Sequence, residues 1–391
     1  MHANRHPMRR EALIECGATE AVLGELLAYT DNPFDHGRLG PHALPLADEP
    51  HLEAWEAYAA EARALGVFPA LARRLVQLRF PIEQGISQTE AYRAATRRGV
   101  FPAGDRPGFE LAAPDHLELV LHPTLAGRLP ILIAGCRADF VALVRACSAR
   151  NEPERVPASM GACIVTGLNN WDRVARHRRR LEDQRGAPLA EADWAAAFRD
   201  LVPEKALYQD RFIILSRDPY SAVPAVDAGM DDAQWRDRSV VVRREHESTH
   251  YFTLRAFGVM RNNLLDEFIA DFAGLVRAFG RYESGLALRF LGLEAYPAYR
   301  PGGRFENYLD APPISAAAAE VLKRVVVRAA RNVDRVASNF DLRSPEACAR
   351  MVVALARLSL DDLAARDGGT ALDAQWASIT SPWLDGTGAI G

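Results

Sequence analysis

The chain has 391 residues, 49% of them apolar and 25% charged, with a formal net charge of −4 and a pI near 6.2. That composition fits one large globular domain or two ordinary ones, and the slight acidic excess argues against a general nucleic-acid binder. The N-terminus, "MHANRHPMRREALIECG", is basic but lacks the apolar core of a secretory signal, and runs such as "LPILIAGC" fall far short of the roughly 20 residues a spanning helix needs. We therefore expect a cytoplasmic protein with no nucleic-acid partner and no membrane partner; the oligomeric state is open. The five cysteines (Cys16, Cys136, Cys147, Cys163 and Cys348) form no CxxC pair. Reduced, mostly buried thiols are expected rather than a disulfide framework or a thiolate metal site.

The fold class expected is α+β and predominantly helical. Residues 1–105 read as a helical N-terminal region. "EALIECGATEAVLGELLAYT" and "HLEAWEAYAAEARALGVFPALARRLVQL" carry apolar residues at helical spacing. "SQTEAYRAATRRG" opens with Ser87 and Glu90 three apart, a capping-box signature, and ends at Gly99. The Gly- and Pro-rich stretch near residues 100–115 reads as a boundary, with a second domain over 115–391. There the short runs "HLELVLH", "ILIAG", "ACIVTGL" and "RFIIL" are of strand length and β-prone. Helical segments separate them, and the mixture continues to about residue 238. Asn170 or Asn169 is expected to cap the helix that follows "GLNN", and the basic "RVARHRRRLEDQR" reads as a solvated face. From Ser239 onward the chain reads as helical. One long loop, "AYPAYRPGGRFENYLDAPPIS", interrupts it, and two long helices follow, one starting near Ser315 and one ending before Gly368-Gly369.

The chemistry concentrates in "REHESTHYF", residues 244–252. With Ser239 as a plausible N-cap and Gly258 as a stop, the stretch falls inside one helix. Positions four apart lie about 40° round the helix from one another. His246 and His250 then face one way and can hold one cation, with Glu247 beside them on the wheel, within reach of a metal-bound water. The next helix, "NNLLDEFIADFAGLVRAFG", starts at Asn262 or Asn263 and stops at Gly280. So short a connection makes the pair antiparallel. If Glu267 is level with His250, Asp271 is level with His246, which supplies a third ligand and a carboxylate to hold the first imidazole.

"HESTH" followed by "EFIAD" resembles the gluzincin, thermolysin-like branch of the zincin metallohydrolases over about residues 239–280. The resemblance implies a zincin-like catalytic core and one Zn²⁺ per chain. It implies His246, His250 and Glu267 as ligands, Glu247 as the general base and Asp271 as the residue orienting His246. Three features depart from that pattern. Glu267 follows His250 by 17 residues, Asp266 stands where the family often has asparagine, and no histidine follows His250. A tyrosine (Tyr251, Tyr282 or Tyr308) or an arginine would have to stabilise the oxyanion.

The function expected is a zinc-dependent peptidase or amidase acting on a small-molecule or peptide-like substrate. The alternative is a dedicated metabolic or biosynthetic enzyme on the same scaffold, with the metal as a Lewis acid and no hydrolysis. A structural metal that staples two helices is a third reading, against which Glu247 argues. A di-iron oxidase would need a second E-x-x-H, which the chain lacks. "YQDRFIIL" is expected either to offer a free edge to an extended substrate or to pack as an ordinary core strand.

Overall fold

The four β-prone runs all become strands: β1 (Glu118–Thr124), β2 (Gly127–Ile133), β3 (Ala162–Asn169) and β4 (Gln209–Leu215). The computed structural model describes residues 5–39, 44–104, 106–260, 263–310 and 312–379. Among these the protein is predominantly helical, with one mixed sheet of order β1-β2-β4-β3. β2 runs parallel to β4, with Ile131 opposite Ile213, and β3 runs antiparallel to β4, with Cys163 opposite Ile214. Only two residues join β1 to its neighbour β2, a connection that only an antiparallel pair allows. β4 therefore has a strand on each side, and Phe212 to Leu215 are fully buried. It has no edge to offer a substrate; its isoleucines are packing residues.

The chain divides into two units, Met1–Leu46 with Thr124–Ala126 and Pro219–Gly391, and Ala47–Pro123 with Gly127–Asp218. The second unit holds the sheet. Its core joins Leu132, Val165, Phe212 and Ile214 of the strands to Trp55 and Tyr58, Phe68 and Leu71, and Phe140 and Leu143 of three helices, Leu52–Leu65, Val67–Arg74 and Arg137–Ser148. The first two helices read as one in the sequence, but Gly66, at φ +82°, turns the chain between them. Thr89, not Ser87, caps the helix Glu90–Arg98 by accepting from the Tyr92 amide. The Gly- and Pro-rich stretch expected to be a boundary runs inside this unit. Gly108 donates its amide to the Leu78 carbonyl, and a Cβ there would stand 2.3 Å from the Phe80 backbone, so only glycine fits the crossing. Asn170 caps the helix Trp171–Arg185 through the amides of Asp172 and Arg173. The basic face of that helix is not wholly solvated: Arg173 is buried and bonds the buried Asp210 at 2.9 Å.

The first unit is helical throughout its described residues apart from turns and loops. Its longest helix, Asp232–Phe257, carries both histidines and is here the histidine helix. It starts about two turns before the expected Ser239. Asp231 caps it in a box with Gln234, and Trp235 buries its first turn, donating its indole N–H to the Val223 carbonyl. The carboxylate helix, Leu264–Phe279, is capped by Asn263 and stopped by Gly280; Asn262 lies outside the described residues. Further helices are Arg5–Glu15, Glu20–Tyr29, Ser284–Leu291 and Ala316–Ala337, the last starting where expected, with Ser315 as its cap. The expected final long helix is in fact Pro345–Ala356, Leu360–Ala364 and Gly368–Ser378. A Cβ on Gly368 would lie 2.4 Å from the Leu363 carbonyl, so this glycine lets a new helix start close against the previous one rather than closing it. Among the described residues no helix is long and apolar enough to cross a membrane.

Candidate metal centre

The histidine and carboxylate helices pack side by side, and their contacts fix the register. Thr253 meets Asp266, His250 meets Asp266 and Glu267, His246 meets Asp271, and Val242 meets Gly274. Falling numbers on one helix match rising numbers on the other, so the pair is antiparallel. The crossing is close because Gly274 has no side chain: a Cβ there would stand 2.7 Å from the Val242 carbonyl oxygen. Gly274→Ala is expected to force the helices apart and lower stability by about 1–3 kcal/mol, the usual cost of overpacking. Thermal denaturation checks this, and an unchanged melting temperature would show that the crossing is not tight.

This register brings His246, His250 and Glu267 into one cluster. The Nε2 atoms of the histidines are 3.1 Å apart. Glu267 Oε1 lies 3.4 Å from His250 Nε2, and Oε2 lies 3.5 Å from His246 Nε2. Ligands about 2.0–2.1 Å from a tetrahedral zinc stand about 3.3 Å from one another. The three side chains thus already sit at the spacing such an ion demands, and each is at least nine-tenths buried.

Each member of the cluster has its own holder. His246 Nδ1 lies 2.9 Å from Asp271 Oδ1 and 2.8 Å from the Tyr220 hydroxyl, which itself donates to Asp271 at 2.7 Å. Arg304 donates to Tyr220 at 2.9 Å and to the other Asp271 oxygen. His250 Nδ1 lies 3.1 Å from Asp266, whose second oxygen accepts from Thr253 at 3.0 Å. Glu267 accepts from the Tyr308 hydroxyl at 2.8 Å, and the Tyr308 carbonyl accepts from Tyr29 at 2.8 Å. His246 Nδ1 is hydrogen-bonded, and His250 Nδ1 has the Asp266 carboxylate beside it without hydrogen-bond geometry, so both Nε2 atoms are left facing Glu267, with the outer carboxylates usual for metal-binding histidines.

The electrostatics follow from burial and from this clustering of charge. Burial works against charge on His250, but Asp266 and Glu267 outweigh it and lift the imidazole well above its ordinary value of 6.5. Burial would raise the Glu267 carboxyl; His250, His246 and Arg304 instead hold it far below the carboxylate range. Asp271 is likewise lowered, against its burial, by Arg304 and His246. Burial pushes the Tyr220, Tyr282 and Tyr308 hydroxyls well up, so all three stay protonated.

Glu247 is half-buried, and among the described residues its carboxylate makes no hydrogen bond or ion pair. Of the tyrosines expected near the site, Tyr308 touches Glu267. Tyr282 is packed on Phe268 and Phe272, its hydroxyl without a hydrogen-bond partner among the described residues, beside a cavity of about 10 Å³ lined by Glu267 and Asp271, room for a single water. Tyr251 is buried one residue past His250, about 100° round the helix from it.

Tyr220 and Arg304 escaped the sequence reading because they lie in irregular segments with no spacing to mark them. Tyr220 is followed by Ser221 and Ala222, two consecutive non-glycine residues at φ +53°. Such backbone costs about 1–3 kcal/mol per residue and is held only where surrounding contacts require it. Here the Tyr220 amide donates to Ser239 Oγ at 2.9 Å, so the serine expected to cap the helix anchors the tyrosine instead. Asp266 had a signal, the acid next to Glu267, but a partner only once the register was known.

A family model, described as a family of unknown function (DUF7005), matches residues 11–367 of the chain, which belongs to that family. Comparison with curated proteins finds no match, and comparison with solved structures finds none either.

Proposed function

We propose that this member of a family of unknown function is a zinc-dependent hydrolase with a zincin-like, gluzincin-type centre, holding one Zn²⁺ through His246, His250 and Glu267. The observation that carries the reading is the spacing of the buried cluster: the two Nε2 atoms stand 3.1 Å apart, with Glu267 Oε1 at 3.4 Å from one and Oε2 at 3.5 Å from the other. Two imidazoles and one carboxylate suit zinc and leave a coordination position open. When bound, the ion supplies Lewis acidity, polarising a carbonyl and lowering the pKa of water.

The chain's own residues do the rest. Glu247, with its carboxylate uncommitted, takes a proton from the attacking water and returns it to the leaving group. Asp271 and Tyr220 keep the His246 ring in place, and Asp266 does the same for His250. The near-complete burial of the cluster favours a small or peptide-like amide or ester over a folded protein. A dedicated metabolic role on one such substrate fits the same geometry. Five cysteines without a disulfide suit a cytoplasmic enzyme. Metal analysis of the purified protein tests the centre: one equivalent of zinc per chain is expected, removable by chelator. A screen of peptide and acyl-amide libraries, with and without chelator, tests the activity.

The raised His250 pKa adds a pH signature. Without metal the Asp266 and Glu267 carboxylates favour the proton on this imidazole, and binding must displace it. Zinc affinity is therefore expected to rise with pH until the imidazole has lost its proton, with proton release accompanying binding below that point. Titration calorimetry in buffers of different ionisation enthalpy measures that proton; no release as the pH is lowered would mean that the carboxylates do not hold a proton on His250.

A further inference from the structure

Glu267 brings both oxygens to the cluster, Oε1 at 3.4 Å from His250 Nε2 and Oε2 at 3.5 Å from His246 Nε2, but their other partners differ. Oε2 accepts from the Tyr308 hydroxyl at 2.8 Å and lies 3.6 Å from an Arg304 nitrogen. Oε1 faces His250 Nε2 at 3.4 Å, and among the described residues no hydrogen-bond donor beyond that imidazole approaches it. A carboxylate oxygen that accepts a short bond from a buried hydroxyl has less electron density to give a cation, whereas the other keeps its lone pairs. Tyr308 is well placed to maintain the difference. It is buried, its ring carries a neutral hydroxyl, and Tyr29 pins its backbone carbonyl from a separate helix. The proline- and glycine-rich loop that carries it narrows to the turn Arg304–Tyr308, which delivers both Arg304 and Tyr308 to the same side of Glu267.

We infer that Tyr308 is a positioning residue that makes Glu267 a one-oxygen ligand through Oε1, keeping open the coordination position that a bidentate carboxylate would fill. The inference rests on the proposed metal site and sharpens it. It reassigns Tyr308, one of the three tyrosines considered for the oxyanion, from the substrate side to the ligand side. It also accounts for a hydroxyl donor and, at 3.6 Å, a guanidinium charge on the same oxygen of a ligand.

The test loads the full chain with Zn²⁺ or Co²⁺ alone and reads the coordination shell by X-ray absorption. The wild type is expected to show two nitrogens, one carboxylate oxygen and one solvent oxygen, four ligands in all. Tyr308→Phe is expected to bring in the second carboxylate oxygen and raise the coordination number to about five, with weaker visible bands in the cobalt form. Tyr29→Phe, which loosens Tyr308 but keeps its hydroxyl, is expected to fall between. A wild-type shell with both Glu267 oxygens bound overturns the inference even if Tyr308→Phe does not fold. So does a folded Tyr308→Phe protein whose shell is unchanged, which would leave Tyr308 a merely structural contact. A wild type that takes up no metal instead overturns the zinc reading itself, so the two failures are distinct.

Discussion

Glu247→Gln is expected to leave one equivalent of zinc bound and to lower turnover by about 10²–10⁴-fold, the range that a positioned general base contributes. The substitution keeps the size and polarity of a half-buried side chain that makes no bond to the described residues, so folding and metal content should not change. The amide cannot accept the proton of the attacking water. The comparison is made on whichever amide or ester the library screen yields, with zinc content and melting temperature measured on the same preparations. Retained activity would remove Glu247 as the base. Lost zinc would mean the glutamate serves the metal rather than the reaction.

Arg304→Met is expected to cost about 3–5 kcal/mol in the metal-free protein, roughly 6–20 °C in melting temperature for a unit of this size. Arg304 is only 17% exposed, and it faces Asp271 at 5% and Glu267 at 10%. Its loss leaves two buried carboxylates with less positive charge than folding placed beside them. The hydrogen bond to Tyr220 and the guanidinium resting on the Tyr220 ring, 5.0 Å from its centre, go with it. Zinc brings two positive charges to the same carboxylate cluster. The gap between variant and wild type should therefore narrow when both are loaded. Melting curves with chelator and with zinc measure the difference. An equal loss in both states would make Arg304 a packing residue with no electrostatic tie to the centre.

The amino-acid sequence by itself determines which side chains the centre draws on. A histidine pair four apart, a glutamate between them, a short break and an acid pair four apart are all local patterns. Helix geometry turns local spacing into a shared face, so His246, His250, Glu267 and Asp271 are legible in the chain alone. The same holds for the four strands and for the caps at Asn170, Asn263 and Ser315, where a few neighbouring residues suffice. Where the local pattern misleads, longer-range packing has decided: Ser239 is buried under Tyr220, and Gly108 and Gly368 are crossings rather than ends.

Only the tertiary structure decides what surrounds the cluster. Tyr220 comes from a strained turn 26 residues before His246, and Arg304 and Tyr308 come from a loop 33 and 41 residues beyond their carboxylate partners. No periodicity links such positions, because irregular backbone has no repeat to project a side chain onto a known face. Nor does the chain reveal that β4 lies inside its sheet, since strand order depends on pairing between segments far apart in sequence. The four side chains of the candidate site are set by the helix repeat. Their orientation, charge balance and enclosure are set by contacts between segments that the repeat does not reach.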